Sequence, residues 1–164
     1  VQYVYPLAIC PPDACSMKQT HFTNKPTALD TKDSGNFGPM ILTGTVRSGK
    51  GNFSYCMEKL QTLCTARTGV ALYPGSLDSD LAVSYELPVK GVIRLEKEAY
   101  GGRAPVSLLP CAVSGTPGLI MRPDPNADGT GDYPKTIVEV AAQVRLQDAL
   151  NVSDVDFVTI KVPD

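Results

Sequence analysis

Two turns in this chain hold the residues best suited to binding chemistry. Gly44-Thr45-Val46-Arg47-Ser48-Gly49-Lys50-Gly51 leaves an apolar run as a glycine-rich turn that carries a lysine. Tyr73-Pro74-Gly75-Ser76-Leu77-Asp78 sets a hydroxyl and a carboxylate two residues apart on a second tight turn. Glycine lets main-chain N–H groups come close to an anion, and a nest of such groups favours negative charge. Residues two apart on an extended segment share a face, so Ser76 and Asp78 can turn two oxygens toward a hard cation such as Mg²⁺. Together the turns point to a site for a phosphorylated ligand with a metal ion. The pattern G-x-x-x-x-G-K-[ST] is absent, which excludes a Walker P-loop. A third group is Glu139, set inside the apolar run Thr136–Val144. Facing a core it needs a partner, and facing outward on the pleat it needs none; the sequence leaves both open.

The elements that must position these groups are mostly strands. The chain has 164 residues, 43% of them hydrophobic, enough for one domain with a real core. Its 14 glycines and 14 prolines argue for many turns and hence for a β-rich fold. Met40–Val46 reads as a strand. Ser54–Ala66 reads as the one main helix, because Met57, Leu60 and Cys64 fall on one face and Thr68-Gly69 follows as a stop. Further strands are expected near Val70–Tyr73, Asp80–Glu86 and Lys90–Leu95. Val106–Val113 and Gly118–Arg122 are separated by Ser114-Gly115-Thr116-Pro117, a hairpin signal. Thr136–Val144 and Phe157–Val162 complete the set, with Arg145–Leu150 a short helix. No βαβ repeat occurs. The expectation is a mainly β fold, a compact barrel with one main helix, over residues 39–164. Residues 1–38, rich in proline and polar side chains, are expected as an irregular extension with one short strand near Tyr3–Ile9.

Composition excludes several function classes. The net charge is −2 and no basic stripe runs along the chain, which argues against a nucleic-acid partner. No apolar run approaches the length needed to span a membrane, and the given residues read as holding no signal peptide, although an upstream signal or domain could have been lost. The chain begins at Val1, as a trimmed or processed product would. Self-association through exposed edge strands stays open. Of the five cysteines, Cys10 and Cys15 flank a Pro-Pro-Asp-Ala turn and form a disulfide candidate. Cys56, Cys64 and Cys111 read as small buried hydrophobes. There is no C-x-x-C, and His21 is the one histidine, so a zinc site is not expected. Asp124, Asp128 and Asp132 lie in a polar run without EF-hand spacing and read as a solvated loop rather than a Ca²⁺ site.

The order of the motifs resembles the archaeal CTP-dependent riboflavin kinase family. Gly44-x-Val46-x-Ser48-Gly49-x-Gly51, a helix, and Tyr73-Pro74-Gly75-Ser76-Leu77-Asp78 are similar to that family's G-x-V-x-S-G-x-G, helix, Y-P-G-T-L-N. The segment Ile137–Leu150 and then Asp154-Val155-Asp156 are similar to its I-I-E-I-x-A-P-x-x-L-R-E-x-L and D-G-D. The resemblance implies a cradle-loop β-barrel of six to eight strands that transfers the terminal phosphate of CTP to riboflavin, giving FMN in the cytoplasm. It implies a nucleotide site at Val46, Ser48, Gly49, Lys50 and Gly51, with Lys50 free to meet phosphate. Arg145 and Gln147 belong to the segment implied to hold the cytidine nucleotide. Glu139 stands where a flavin-contacting Glu stands, and Ser76 and Asp78 stand at the Mg²⁺ ligands. Three departures mark this chain: Asp78 replaces Asn, Gln147 replaces Arg, and Val155 replaces the glycine of D-G-D. A relative that has lost the kinase activity is the other outcome those departures allow.

A second resemblance points to a different class. Ser34-Gly35-Asn36-Phe37-Gly38 resembles the S-G-N-F-G motif of bacterial Tad-type pilus assembly proteins. It implies an extracellular or cell-surface structural subunit without catalytic activity, in which Cys10 and Cys15 would be oxidised.

Overall fold

The computed structural model describes residues 38–51 and 53–164, with the side chains of residues 53–56 outside that description. The expected strand near Tyr3–Ile9, the extension, the Cys10–Cys15 bridge, His21, Cys56 and the residues 34–37 of the second motif all lie outside the described residues. The described residues belong to one compact unit.

Seven strands make one antiparallel sheet: β1 (Met40–Arg47), β2 (Leu77–Leu81), β3 (Ile93–Leu95), β4 (Val106–Val113), β5 (Thr116–Pro123), β6 (Ile137–Ala141) and β7 (Phe157–Val162). The order β4-β5-β6-β2-β1-β7 closes on itself, because Ala112 and Val113 of β4 pair with Lys161 and Ile160 of β7. The result is a closed six-strand barrel, and β3 adds to the N-terminal half of the same β4 edge. Closure removes most of the unpaired strand edge.

Strand alternation explains the closure. Leu77, Leu81, Val138, Val140, Ile120, Val158, Ile160 and Val162 point inward and form the barrel core with Val46 and Val113. The residues between them on β2 and β6, Asp78 and Glu139, therefore point outward, because neighbouring side chains on a strand take opposite faces. Gly44 is required inside the barrel. A methyl group there would lie 2.8 Å from the Asp80 carbonyl oxygen and would collide with Ser79 Oγ. Ser79 Oγ fills that space, buried, with no hydrogen-bond partner among the described residues.

A second core lies on the outer face. Helix α1 (Phe53–Thr68) lays Met57, Leu60 and Cys64 on Leu108, Leu119, Met121 and Ala141 of β4, β5 and β6. Burying a side chain of this size stabilises by about 1.5–3 kcal/mol. Gly69 at φ 72° ends the helix, its N–H donating to the Thr65 carbonyl at 2.8 Å. The hairpin between β4 and β5 turns on Ser114 and Gly115, with φ 46° and 89°, the pair of positive values a two-residue turn needs.

Several boundaries differ from the sequence expectation. Val70–Tyr73 is not a strand. Tyr73 N–H reaches the Ala142 carbonyl at 2.7 Å, but Pro74 follows and has no N–H to continue a ladder. The strand expected at Asp80–Glu86 runs instead over Leu77–Leu81, where Leu, Ser and Leu alternate inward. Lys90–Leu95 keeps only Ile93–Leu95, since Gly91 at φ 78° interrupts extended backbone. Thr136–Val144 shortens to Ile137–Ala141. The polar run after β5 contains one helical turn, α3 (Asp124–Asp128), started by Pro125 near its first position. Two more short helices, α2 (Lys97–Tyr100) and α4 (Leu146–Leu150), complete the fold.

Candidate functional site

Asp78 and Glu139 are direct cross-strand partners on β2 and β6. Both project from the outer barrel face into one cleft of about 1000 Å³. The cleft lies between that face, α1, the turn at Gly49–Gly51, the turn at Tyr73–Ser76 and the segment around Tyr133. Sequence reasoning left open whether Glu139 faces the core. It faces outward.

The Asp78 carboxylate is buried, with 2% of its surface exposed, yet both oxygens are satisfied. Ser76 Oγ donates to Oδ1 at 2.9 Å, and the Tyr133 hydroxyl donates to Oδ2 at 2.8 Å. A hydroxyl and a carboxylate are oxygen donors of the kind Mg²⁺ takes. The donor types therefore fit a hard cation, while the 2.9 Å separation is that of the hydrogen bond between them. Among the described residues no group of three or more His, Cys, Asp or Glu side chains could hold a metal. Such an ion would take its remaining ligands from phosphate and water.

Glu139 has a different environment. Burial, reinforced by the Asp78 carboxylate across the strand pair and opposed by Arg122, pushes its carboxyl up to about 8. Near neutral pH it is therefore mostly protonated, and a protonated carboxyl both donates and accepts hydrogen bonds. Burial likewise raises the Tyr133 phenol to about 12, so it remains a donor to Asp78.

The glycine turn forms the opposite rim. Gly49 packs so closely on Asp78 that a methyl group there would stand 2.9 Å from Oδ2. The Lys50 main-chain N–H donates to the Tyr133 hydroxyl at 2.8 Å. Lys50 Nζ donates to the Asp132 carbonyl at 2.8 Å and lies 5.4 Å from the centre of the Tyr133 ring. The lysine expected to be free is thus anchored along the rim, with only part of its three-donor capacity spent.

Not every expected residue reaches the cleft. Gly49, Lys50, Gly51, Ser76, Asp78, Glu139, Arg145 and Gln147 line it. Val46 does not: its side chain is in the barrel core, its N–H donates to the Asp156 carbonyl, and its carbonyl accepts from Val155 N–H, both at 2.8 Å. Ser48 is also absent from the lining, its hydroxyl donating to Asp154. Gln147 Nε2 donates to the Ser76 carbonyl at 3.2 Å, bracing the turn at Tyr73–Ser76. Arg145 pairs with Asp148 at 3.2 Å on the surface.

Sequence reasoning missed Tyr133, the hub between the two rims, and the cleft cations Lys59 and Arg103. The signal available for Tyr133 was an aromatic residue stranded in a run of aspartates and glycines. Of the three aspartates expected in a solvated loop, Asp128 and Asp132 are exposed and Asp124 is half-buried. Asp124 accepts two hydrogen bonds from Arg94, and Asp128 accepts from the Thr130 hydroxyl and N–H. A smaller recess of about 320 Å³ lies beside Arg94, Arg122 and Lys135. Its cations already have partners: Asp124 for Arg94, Glu86 for Lys135, and the Tyr85 and Ile137 carbonyls for buried Arg122. Cys64 and Cys111 are free and buried, and burial raises their thiols to about 11 and about 12.

Residues 46–162 match the model of a family described as domain of unknown function DUF120 and labelled for CTP-dependent riboflavin kinases. The chain belongs to this family. Its similarity to curated proteins agrees. A riboflavin kinase of Methanocorpusculum labreanum is 29% identical over 147 residues, covering 82% of this chain and 60% of the relative. One from Methanoregula boonei is 32% identical over 134 residues, covering 76% and 58%. One from Pyrobaculum aerophilum is 26% identical over 140 residues, covering 77% and 62%. The chain thus spans about three fifths of the length of these relatives. Of the two resemblances in the sequence, the match falls on the kinase family, and the closed six-strand barrel is the fold that resemblance implies. No described helix is long and apolar enough to cross a membrane.

Proposed function

We propose that this chain transfers the terminal phosphate of CTP to riboflavin, yielding FMN and CDP. One observation carries the reading: the glycine turn, the Ser76–Asp78 pair and Glu139, distant in sequence, line one cleft in a chain of this family. The nucleotide phosphates lie along Gly49–Gly51 and Lys50, where close main-chain approach and a cation favour them. Gln147 acts by holding the Ser76 turn rather than by meeting phosphate. Ser76 and Asp78 would hold Mg²⁺, which would neutralise phosphate charge when bound. The protonated Glu139 carboxyl meets the flavin side of the site, donating to or accepting from a hydroxyl or ring atom. Tyr73 and Tyr100, with Leu60 and Met121, give the cleft apolar wall for a flat ring.

Phosphoryl transfer depends mainly on positioning and charge neutralisation, so this cleft does not need a conspicuous catalytic base. The riboflavin hydroxyl attacks the terminal phosphorus and gives up its proton to a phosphate oxygen or to water, the bond to the bridging oxygen breaks, and CDP leaves with that electron pair. The three departures are compatible with activity. Asp78 has both oxygens bonded, Gln147 braces the site, and Val155 keeps the turn the glycine would make. The test is incubation with riboflavin, CTP and Mg²⁺, followed by chromatographic separation of flavins. CTP-dependent FMN is expected. No FMN at millimolar donor, from protein with a cooperative melt, refutes the reading.

A further inference from the structure

The two rims of the cleft meet at one atom. The Tyr133 hydroxyl accepts from the Lys50 main-chain N–H at 2.8 Å and donates to Asp78 Oδ2 at 2.8 Å. Its ring also lies 5.4 Å below Lys50 Nζ, and that ammonium is tied to the Asp132 carbonyl next to Tyr133 in sequence. Tyr133 is itself buried, 7% exposed, so these bonds are shielded from competing water. A hydroxyl has one proton to give and lone pairs to receive. Here it gives the proton to the carboxylate and receives the turn.

The consequence is geometric. With Oδ2 held by Tyr133, the carboxylate cannot rotate freely, and Oδ1 stays beside Ser76 Oγ at 2.9 Å. With Lys50 N–H held by the same hydroxyl, the glycine turn keeps a fixed distance from those two oxygens. Gly49 permits this closeness, since a side chain there would press on Asp78. Asp78 has one negative charge more than an asparagine would, and Tyr133 supplies a second charge-assisted donor that directs it.

We propose that Tyr133 is a positioning residue that couples the phosphate-facing turn to the metal-facing carboxylate. It does not touch the reacting atoms; it acts through Lys50 and Asp78. This inference rests on the kinase reading above. Its signature is therefore selective: loss of the hydroxyl harms use of the metal–nucleotide complex and leaves flavin binding alone.

The experiment is steady-state FMN formation by the wild type and by Tyr133→Phe, which keeps the ring and removes only the hydroxyl. Mg²⁺, CTP and riboflavin are varied separately. The half-saturating Mg²⁺ concentration and the KM for CTP are expected to rise about tenfold, a factor that corresponds to about 1.4 kcal/mol. The KM for riboflavin is expected to change less than twofold. Tyr133→Phe and Asp78→Asn combined are expected to do little more harm than Asp78→Asn alone, because both break one coupling. A merely structural Tyr133 would lower the melting temperature and leave the Mg²⁺ dependence unchanged, which overturns the proposal. Should Tyr133→Phe lose its cooperative melt, amide hydrogen exchange in the wild type decides instead. Slow exchange at Lys50, at least tenfold slower than at Gly51, supports the bond, and equal exchange overturns it. A folded wild type that makes no FMN refutes the kinase reading and this inference together; an active wild type with an unaltered Tyr133→Phe refutes only this one.

Discussion

Replacing Val155 with glycine should stabilise this protein. Val155 adopts φ 70°, the left-handed region that a β-branched residue occupies at a cost of about 1–3 kcal/mol. The turn is held there by its surroundings. Val155 N–H donates to the Val46 carbonyl, Val46 N–H donates to the Asp156 carbonyl, and Ser153 N–H donates to Asp156 Oδ2 at 2.7 Å. None of these bonds uses the Val155 side chain, which is 79% exposed, so removing it forfeits little burial. Against the relieved strain stands the greater freedom of glycine in the unfolded chain, about 0.5–1 kcal/mol. The balance favours Val155→Gly by about 0.5–2 kcal/mol. Urea unfolding followed by circular dichroism measures it, with an expected rise in the midpoint at unchanged slope. A midpoint that stays or falls would refute the strain argument. Val155→Ala separates the two contributions: it keeps most of the unfavourable conformation and should gain less than glycine.

Two other outcomes follow from the cores and the site. Glu139 carries a carboxyl raised from 4.5 to about 8, so the folded state binds its proton more tightly than the unfolded state does. Its contribution to stability is complete below pH 4.5 and is lost as pH climbs to about 8, a decline on the order of 2–5 kcal/mol. Glu139→Gln should flatten that decline in urea midpoints taken between pH 5 and pH 8.5, and parallel curves for variant and wild type would show the reasoning wrong. Glu86 and Asp128 have lowered carboxyls and act in the opposite sense, but only as pH falls through the acid range, outside this window. Gly44→Ala should cost about 1–3 kcal/mol, because its methyl would enter space held by Ser79 and the Asp80 carbonyl; an unchanged urea midpoint would contradict the close approach of β1 and β2.

Sequence pattern carried the fold further than the site. Phe157–Val162 was legible to the residue through strict alternation, and Val106–Val113 through its apolar run ending at a Ser-Gly turn. The main helix was legible from Met57, Leu60 and Cys64, all of which are buried on one face. Val70–Tyr73 looked like a strand because local propensity does not reveal where a partner edge is available; only the Ala142 carbonyl is. At the cleft, residue type and spacing single out Ser76 and Asp78, while the presence of Glu139 there is implied by the family resemblance. Val46 did not, because inward or outward direction depends on strand register, and register sends it to the core. Tyr133 was invisible for a plainer reason: its two partners lie 83 and 55 residues away in sequence. No local pattern encodes a bond across that separation.

In the proposed function one cleft takes both the nucleotide and the flavin. A crystal structure of the protein grown with CDP, FMN and Mg²⁺ tests it most directly. Density is expected for phosphate against Gly49–Gly51, for the metal at Ser76 and Asp78, and for the flavin on the Glu139 side. Well-ordered crystals with that cleft empty, or with the ligands lodged in the recess beside Arg122, would contradict it.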